Sequence, residues 1–386
     1  MAAFYISCPL NFEKNLVEEI KSFWFEMMDL DGLPTREPLP ELVIETGGVS
    51  LDCPEHLGYQ INFFTKIAHR ILIRIHRFPA RFYDQFEKEM KVLPLQKWIE
   101  KSRISLKIET AKSRINHERN LIESCTRALG SQHFEVVPKE SGVQQIFIRI
   151  FRDQAIISLD TSGEHLHRRG YAVYRGEAPL RENLAALLAQ QTYMNNNSVG
   201  RTKILDPFAG SGTTLFETAS FRTPNFSRHY SWLNFLNKPK MFASKTWSKN
   251  YRWLLQQQNF EMVAIDSDQK ALFNIDQNRQ LFLAQYPTVN LNLDTICCDS
   301  EDLSPNQFEA NSEYWIISNP PYGIRLQQDS VVRIFNHIEN IIQLRGAIIL
   351  HPESMPIHFH TLKLSSQIDF ANQGLNVKMS LFKRKD

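Results

Sequence analysis

Apolar positions recur in two rhythms along this chain, and the change between them falls near residue 200. In the first part the runs "AAFYISC", "ELVIETGGVSLD", "RILIRIHRF", "ISLKIETA" and "QIFIRIFRDQAIISLDTS" predict strands, because residues two apart share one face of a sheet. Between them, "EKNLVEEIKSFWFEMM" carries Leu16, Ile20, Phe23 and Met27 at helical spacing, and "PEHLGYQINFFTKI" and "INHERNLIESCTRALG" read as two more helices. "GLPTREPLP", with three prolines, predicts a loop. The first part is therefore an α+β region of mixed order.

From residue 201 the order becomes strand then helix, repeatedly. "KILDPFAGSGTTLFETA" is an apolar strand, a glycine turn and a helix start, and "FEMVAIDSDQKALFNIDQNRQLFLAQ" is a strand ending in an aspartate followed by a helix. "LDTICCDS" and "YWIISNPPYG" end two further strands, "VVRIFNHIENIIQL" and "RGAIILHPES" supply a helix and a strand, and "SQIDFANQGLNVKMSLFKRK" predicts a hairpin. Short apolar strands alternating with helices predict a doubly wound parallel sheet. Ligands of such sheets lie beyond the carboxyl ends of the strands. Four polar signatures fall there: Asp206 to Gly212, Asp266, Asp299, and Asn319 to Tyr322.

Composition narrows the setting. A chain of 386 residues, 42% apolar and 22% charged, can bury the cores of two or three domains. No apolar run approaches the roughly 20 residues of a membrane span, and the start "MAAFYISCPL" lacks the order of a signal peptide, so a cytoplasmic, monomeric protein with no membrane partner is expected. The five cysteines show no C-x-x-C spacing, which indicates neither a disulfide framework nor a metal site. Net charge is only +2 but is unevenly spread. Residues 1–65 hold 3 Lys/Arg against 11 Asp/Glu, whereas 66–127 hold 15 against 7, so the two stretches carry −8 and +8. Residues 218–260 hold 7 Lys/Arg and no carboxylate, with Trp232, Trp247 and Trp253 interleaved. Cations that meet phosphates and rings on which bases stack are what a nucleic-acid surface needs; a solvated face over an aromatic minicore gives the same count.

Each signature has a chemical reading. In "DPFAGSG", Gly210 and Gly212 remove β-carbons where the backbone turns sharply toward a ligand at a helix start. Leu215 stands where a third glycine would complete a dinucleotide fingerprint, and no G-K-[ST] follows, so neither a nicotinamide site nor a phosphate loop is indicated. Asp266 suits ribose hydroxyls and Asp299 an exocyclic adenine amine. The 60 residues from Asp206 to Asp266 exceed the ~20 of a simple unit, which marks the basic aromatic stretch as an insertion. "NPPY" fits methylation of an exocyclic base amine, whose lone pair is delocalised into the ring. The Asn319 side-chain oxygen and the Pro320 carbonyl can both accept from one NH2 group, Pro320 and Pro321 hold these acceptors rigid, and Tyr322 can stack on a base turned out of its strand.

Together, "DPFAGSGTT", "AIDSD", "CCDS" and "SNPPYG" resemble the amino-methyltransferase form of the S-adenosylmethionine-dependent Rossmann-like family, and residues 157–188, "ISLDTSGEHLHRRGYAVYRGEAPLRENLAALL", resemble the join between a THUMP RNA-binding domain and the catalytic domain of bacterial 23S ribosomal RNA guanine-N2 methyltransferases. The resemblance implies a ferredoxin-like element over 1–50, a THUMP domain over 51–160, a linker and helix over 161–200, and a seven-stranded methyltransferase domain over 201–386 with the insertion at about 222–258. It also implies S-adenosylmethionine held by Asp206, Ala209, Gly210, Gly212, Asp266, Asp299 and Asn319, under a helix carrying Leu180, Glu182 and Asn183. The implied partner is 23S ribosomal RNA or a ribosome assembly intermediate; Arg103, Lys107, Lys112 and Arg114 of the basic stretch, with Arg168, Arg169 and Trp232, are the candidates to meet it. Phe216 stands where the family usually has an aliphatic residue and Ala209 where a cysteine is frequent. The chain's end near Asp386 implies that the second methyltransferase domain of some relatives is absent. The tetrapeptide chemistry is shared by DNA adenine-N6 and protein glutamine methyltransferases, and a non-catalytic RNA chaperone on the same fold is a further alternative.

Overall fold

Fifteen strands in two sheets organise the computed structural model, which describes residues 1–29, 37–100, 102–140, 142–176, 179–196, 202–243, 257–321, 328–372 and 374–384. Tyr322, Trp247 and Trp253 lie outside the described residues. The chain divides into two compact units, one of residues 1–166 and 228–251, the other of 167–227 and 252–386.

In the first unit the alternating runs become β1 (Ala2–Ser7), β2 (Val43–Glu45), β3 (Gly48–Cys53), β4 (Arg70–Pro79), β5 (Arg103–Ala111), β6 (Glu135–Val136), β7 (Gln144–Phe151) and β8 (Gln154–Asp160). They form one sheet in the order β2-β3-β1-β4-β8-β7-β5-β6. The boundary expected at residue 50 falls inside β3, and β1 pairs with both β3 and β4, so backbone hydrogen bonds run continuously across it. The helices are α1 (Glu13–Asp29), α2 (Glu55–Phe64), α3 (Tyr83–Lys91), which the sequence reading missed, and α4 (Glu118–Gly130). Apolar residues at alternate strand positions, Phe4, Ile6, Val49, Leu51, Ile71 and Ile73 among them, are buried.

The insertion supplies part of this unit's core. Trp232 is fully buried, stacks on Tyr59 at a centroid distance of 5.3 Å and an 8° interplanar angle, and meets Phe63 and Phe242 edge-on at 5.6 and 4.9 Å. Its amide donates to the Thr161 carbonyl at 3.1 Å. Tyr230 packs against Phe63, and the Leu236 amide donates to the Trp98 carbonyl at 2.8 Å. Offset stacks and edge contacts of this kind add to what ring burial already contributes. Trp232 is therefore corrected from an RNA-stacking residue to a core residue, and the described part of the insertion is an internal cap.

The second unit contains β9 (Lys203–Asp206), β10 (Gln258–Asp266), β11 (Val289–Cys297), β12 (Glu313–Ser318), β13 (Gln343–Pro352), β14 (Leu362–Asn372) and β15 (Leu375–Arg384). Their order is β11-β10-β9-β12-β13-β15-β14. The first five are mutually parallel, and β15 runs antiparallel to both of its neighbours. The strand order reverses beside β9, the place where open α/β sheets form ligand crevices. The helices are α5 (Glu182–Asn195), α6 (Thr213–Ser220), α7 (Gln269–Gln285) and α8 (Gln328–Ile341). On α8, Val331, Ile334, Phe335 and Ile338 recur at helical spacing and bury against Leu205, Ile265, Ile316 and Ile349 of the sheet. Among the described residues no helix is long and apolar enough to cross a membrane, and all five cysteines are free.

Candidate active site

Asp206 ends β9, is 1% exposed, and joins three elements of the second unit. Its Oδ1 accepts from the Ser318 hydroxyl at 2.6 Å and from the Phe208 amide at 3.1 Å, while the Thr214 hydroxyl of α6 donates to Oδ2. Burial pushes its carboxyl up to about 6, against the opposing pull of those donors. Expected as a cofactor ligand, Asp206 has both oxygens engaged by protein donors and works from beneath the loop, tying β9, α6 and β12 together.

The loop above it turns on two glycines. Gly212 has φ +80°, and a β-carbon there would lie 2.7 Å from the Phe216 ring, so both conformation and space require glycine. Gly210 has φ +53°, and no described atom lies within 4 Å of where its β-carbon would be; the backbone presents open space to a ligand. The Gly210 amide donates to Asp266 Oδ2 at 2.8 Å, and the Asp268 amide donates to Oδ1 at 2.9 Å. Asp266 is half-buried at the end of β10 and faces Cys297 of β11 in register. Asp299, two residues beyond β11, is exposed and accepts from the Glu301 amide at 3.1 Å. Ala209 is buried, and its amide donates to the Ile265 carbonyl at 2.9 Å.

Beyond Ser318, which is fully buried, comes Asn319. Its Oδ1 is buried and has no hydrogen-bond partner among the described residues. A buried acceptor left unmatched costs about 1–3 kcal/mol, and a ligand N–H offsets that cost. Pro320 is buried behind it and Pro321 half-buried; Tyr322 lies outside the described residues.

α5 begins at Glu182, so Glu182 and Asn183 lie on it while Leu180, expected on the same helix, falls two residues before its start. Glu182 is 2% exposed, Arg175 donates to its Oε1 at 2.8 Å, and burial holds its carboxyl above the usual glutamate range. Asn183 is fully buried and Leu180 half-buried. Arg169 is 4% exposed and donates to the fully buried Glu217 at 3.1 Å, while the Tyr171 hydroxyl donates to the same carboxylate at 2.7 Å. Arg169 is therefore removed from the RNA-contacting set, because a buried guanidinium bound to its counter-ion has no surface to offer phosphate. Phe216 packs against Tyr171 and Phe282 at 5.5 and 5.1 Å, which accounts for a ring at that position.

The other RNA candidates remain exposed. Arg103 pairs with Glu140 at 3.0 Å, Lys107 with Glu109 at 2.9 Å, and Arg114 with Asp153 at 3.5 Å. Such exposed pairs contribute little to stability, so phosphate can displace them. Lys112 has no ion pair among the described residues, and Arg168 is exposed. The sequence reading missed Thr214, Ser318, Ser300, whose hydroxyl donates to the Pro207 carbonyl at 2.8 Å, and Asn278 of α7. Single hydroxyls and amides carry no spacing signal.

This donor and acceptor set fits S-adenosylmethionine. Gly210 offers a backbone cradle open to the ligand, two strand-end carboxylates can meet the nucleoside, and the orphaned Asn319 oxygen can meet a second, amine-bearing molecule. Comparison with known proteins agrees. Residues 169–341 match the family model described as RMKL-like, methyltransferase domain. The ribosomal RNA large subunit methyltransferase K/L of Syntrophotalea carbinolica is 26% identical over 350 residues, covering 86% of this chain and 45% of that protein. The YpsC protein of Bacillus subtilis, whose name proposes RNA methyl transfer, is 27% identical over 310 residues, covering 76% of this chain and 75% of its own length. The crystal structure of a possible methylase from Clostridium difficile superposes with a TM-score of 0.75 at 20% identity, covering 100% of this chain and 98% of that one. The chain thus spans about half the length of the first relative and three quarters of the second. Over residues 169–341, which include the edge where Asp206, Gly210, Asp266 and Asn319 gather, this chain is similar to the RMKL-like methyltransferase domain.

Proposed function

We propose that the protein transfers a methyl group from S-adenosylmethionine to an exocyclic amine of an RNA base, the N2 amine of a guanine in 23S ribosomal RNA, either free or in a ribosome assembly intermediate. When bound, the cofactor supplies an electrophilic methyl on a sulfonium. Asp266 and Asp299 hold the nucleoside hydroxyls and adenine amine, and the Gly210 backbone admits the methionine part. Asn319 Oδ1 and the Pro320 carbonyl accept both hydrogens of the base amine, which aligns its lone pair with the methyl and stabilises the positive charge that grows on nitrogen. Transfer would exchange the sulfonium's C–S bond for an N–C bond at the amine, which would then release one proton to water. Tyr322 stacks on the extruded base. The exposed cations of the first unit, Arg103, Lys107, Lys112 and Arg114, hold RNA phosphates as a THUMP domain would, and the protein works in the cytoplasm as a monomer.

The observation that carries this reading is the buried Asn319 oxygen, unmatched among the described residues, one residue beyond the Asp206-bound Ser318. Incubation with methyl-labelled S-adenosylmethionine and 23S ribosomal RNA, DNA or protein, followed by nucleoside digestion, tests it. N2-methylguanosine from RNA, lost in Asn319→Ala, is expected; label appearing only in N6-methyladenine of DNA or in glutamine would sink the guanine reading.

A further inference from the structure

Asn278 lies in the middle of α7, outside every motif discussed above, and is fully buried. All of its side-chain hydrogen-bonding groups are engaged. Nδ2 donates to the Ser211 carbonyl at 3.2 Å and to the Tyr174 carbonyl at 2.8 Å, while Oδ1 accepts from the Val173 amide at 3.2 Å and the Tyr174 amide at 3.0 Å. Ser211 sits between the two loop glycines and directly follows Gly210, whose amide is held by Asp266. Tyr174 directly precedes Arg175, whose guanidinium binds Glu182 at the first turn of α5. One amide therefore clasps the loop that admits the cofactor to the irregular segment leading toward the helix expected to close over it.

We propose that Asn278 is a positioning residue that couples these two halves of the cofactor site, so that the loop and the start of α5 adopt their binding geometry together; this rests on the methyl-transfer reading above. The carboxamide is specific to the task. Aspartate has the same shape but would set a carboxylate oxygen against two carbonyl oxygens, removing both donors while leaving the acceptor side in place. The site would survive without the clasp, but its halves would order separately, and binding would then carry the ordering cost.

A double-mutant cycle on S-adenosylhomocysteine affinity, measured by calorimetry on the full chain, tests this. Asn278→Asp and Arg175→Ala are each expected to weaken binding on the order of tenfold, and Arg175→Ala is expected to add little once Asn278 is changed. If the loop and the start of α5 order independently, the two losses add, so additive losses, or no loss in Asn278→Asp, overturn the proposal. A second reading needs no ligand: hydrogen exchange at the Gly210 amide and across residues 173–184 should quicken together in Asn278→Asp, and quickening of only one segment also overturns it. Should Asn278→Asp not fold, Asn278→Ser, which retains one donor, is expected to give a smaller loss with the same non-additivity. A parent protein that binds no S-adenosylhomocysteine overturns the methyl-transfer reading and this proposal together, whereas a parent that binds while the variants behave additively overturns this proposal alone.

Discussion

The Ser318 hydroxyl donates to Asp206 Oδ1 at 2.6 Å, joining neighbouring strands of the second unit at the residue before Asn319. The base of the glycine loop and the segment proposed to accept the substrate amine thus share one buried hydrogen bond. Ser318→Ala leaves Asp206 short of a donor in the interior, and a loss of about 1–2 kcal/mol is expected. Turnover should fall as Asn319 shifts while cofactor affinity changes less. Thermal unfolding and steady-state kinetics check this; an unaltered turnover number would show that the bond does not position Asn319.

Asp206 also carries a pH signature. Its folded carboxyl titrates at about 6 against 3.8 when exposed, so the folded state holds this proton more tightly than the unfolded chain. The stability it contributes is full below about pH 3.8 and is lost as pH rises through about 6. At about 1.4 kcal/mol per pH unit the effect is on the order of 3 kcal/mol. Asp206→Asn cannot titrate, and the Thr214 hydroxyl can turn to accept from the new amide. The difference in melting temperature between variant and parent should move in the variant's favour between pH 4 and 6.5, and a constant difference would contradict the assignment.

The proposed ribose role would make Asp266 serve the ligand as well as the loop, whose Gly210 amide its Oδ2 already holds. Asp266→Ala should weaken S-adenosylmethionine binding by about 1–3 kcal/mol, roughly 5- to 150-fold. Titration calorimetry reads this directly. Full affinity in a folded variant would remove Asp266 from the ribose role.

Trp232→Ala empties a fully buried site between Tyr59, Phe63 and Phe242. A loss of about 3–5 kcal/mol in unfolding free energy is expected, read from denaturant melts. A variant with the parent's stability but no RNA binding would restore the recognition role withdrawn above.

Neutralising Arg103, Lys107 and Arg114 should lower RNA affinity and flatten its dependence on log salt by about one unit per lost phosphate contact. Stability should hardly change, since their pairs with Glu140, Glu109 and Asp153 are exposed. Filter binding across a salt series decides this: an unchanged slope would mean that these charges only solvate the sheet.

The sequence by itself determined the strand ends and the polar groups upon them. A repeated strand and helix rhythm, glycines at 210 and 212 and prolines at 320 and 321 restrict the backbone locally, and local restriction is legible without knowing what lies across the fold. The tertiary structure decided which side chains face inward. Arg168 and Arg169 are adjacent and alike in sequence, yet Arg169 is buried because Glu217 waits for it 48 residues away while Arg168 is exposed. Trp232 looked like a stacking surface until Tyr59, 173 residues earlier, supplied a ring to cover it. Asn278 carried no signal at all, since its importance lies in four backbone groups brought to it from Ser211, Val173 and Tyr174. Burial and hydrogen-bond satisfaction are properties of a pair of surfaces, and one stretch of sequence holds only one of them.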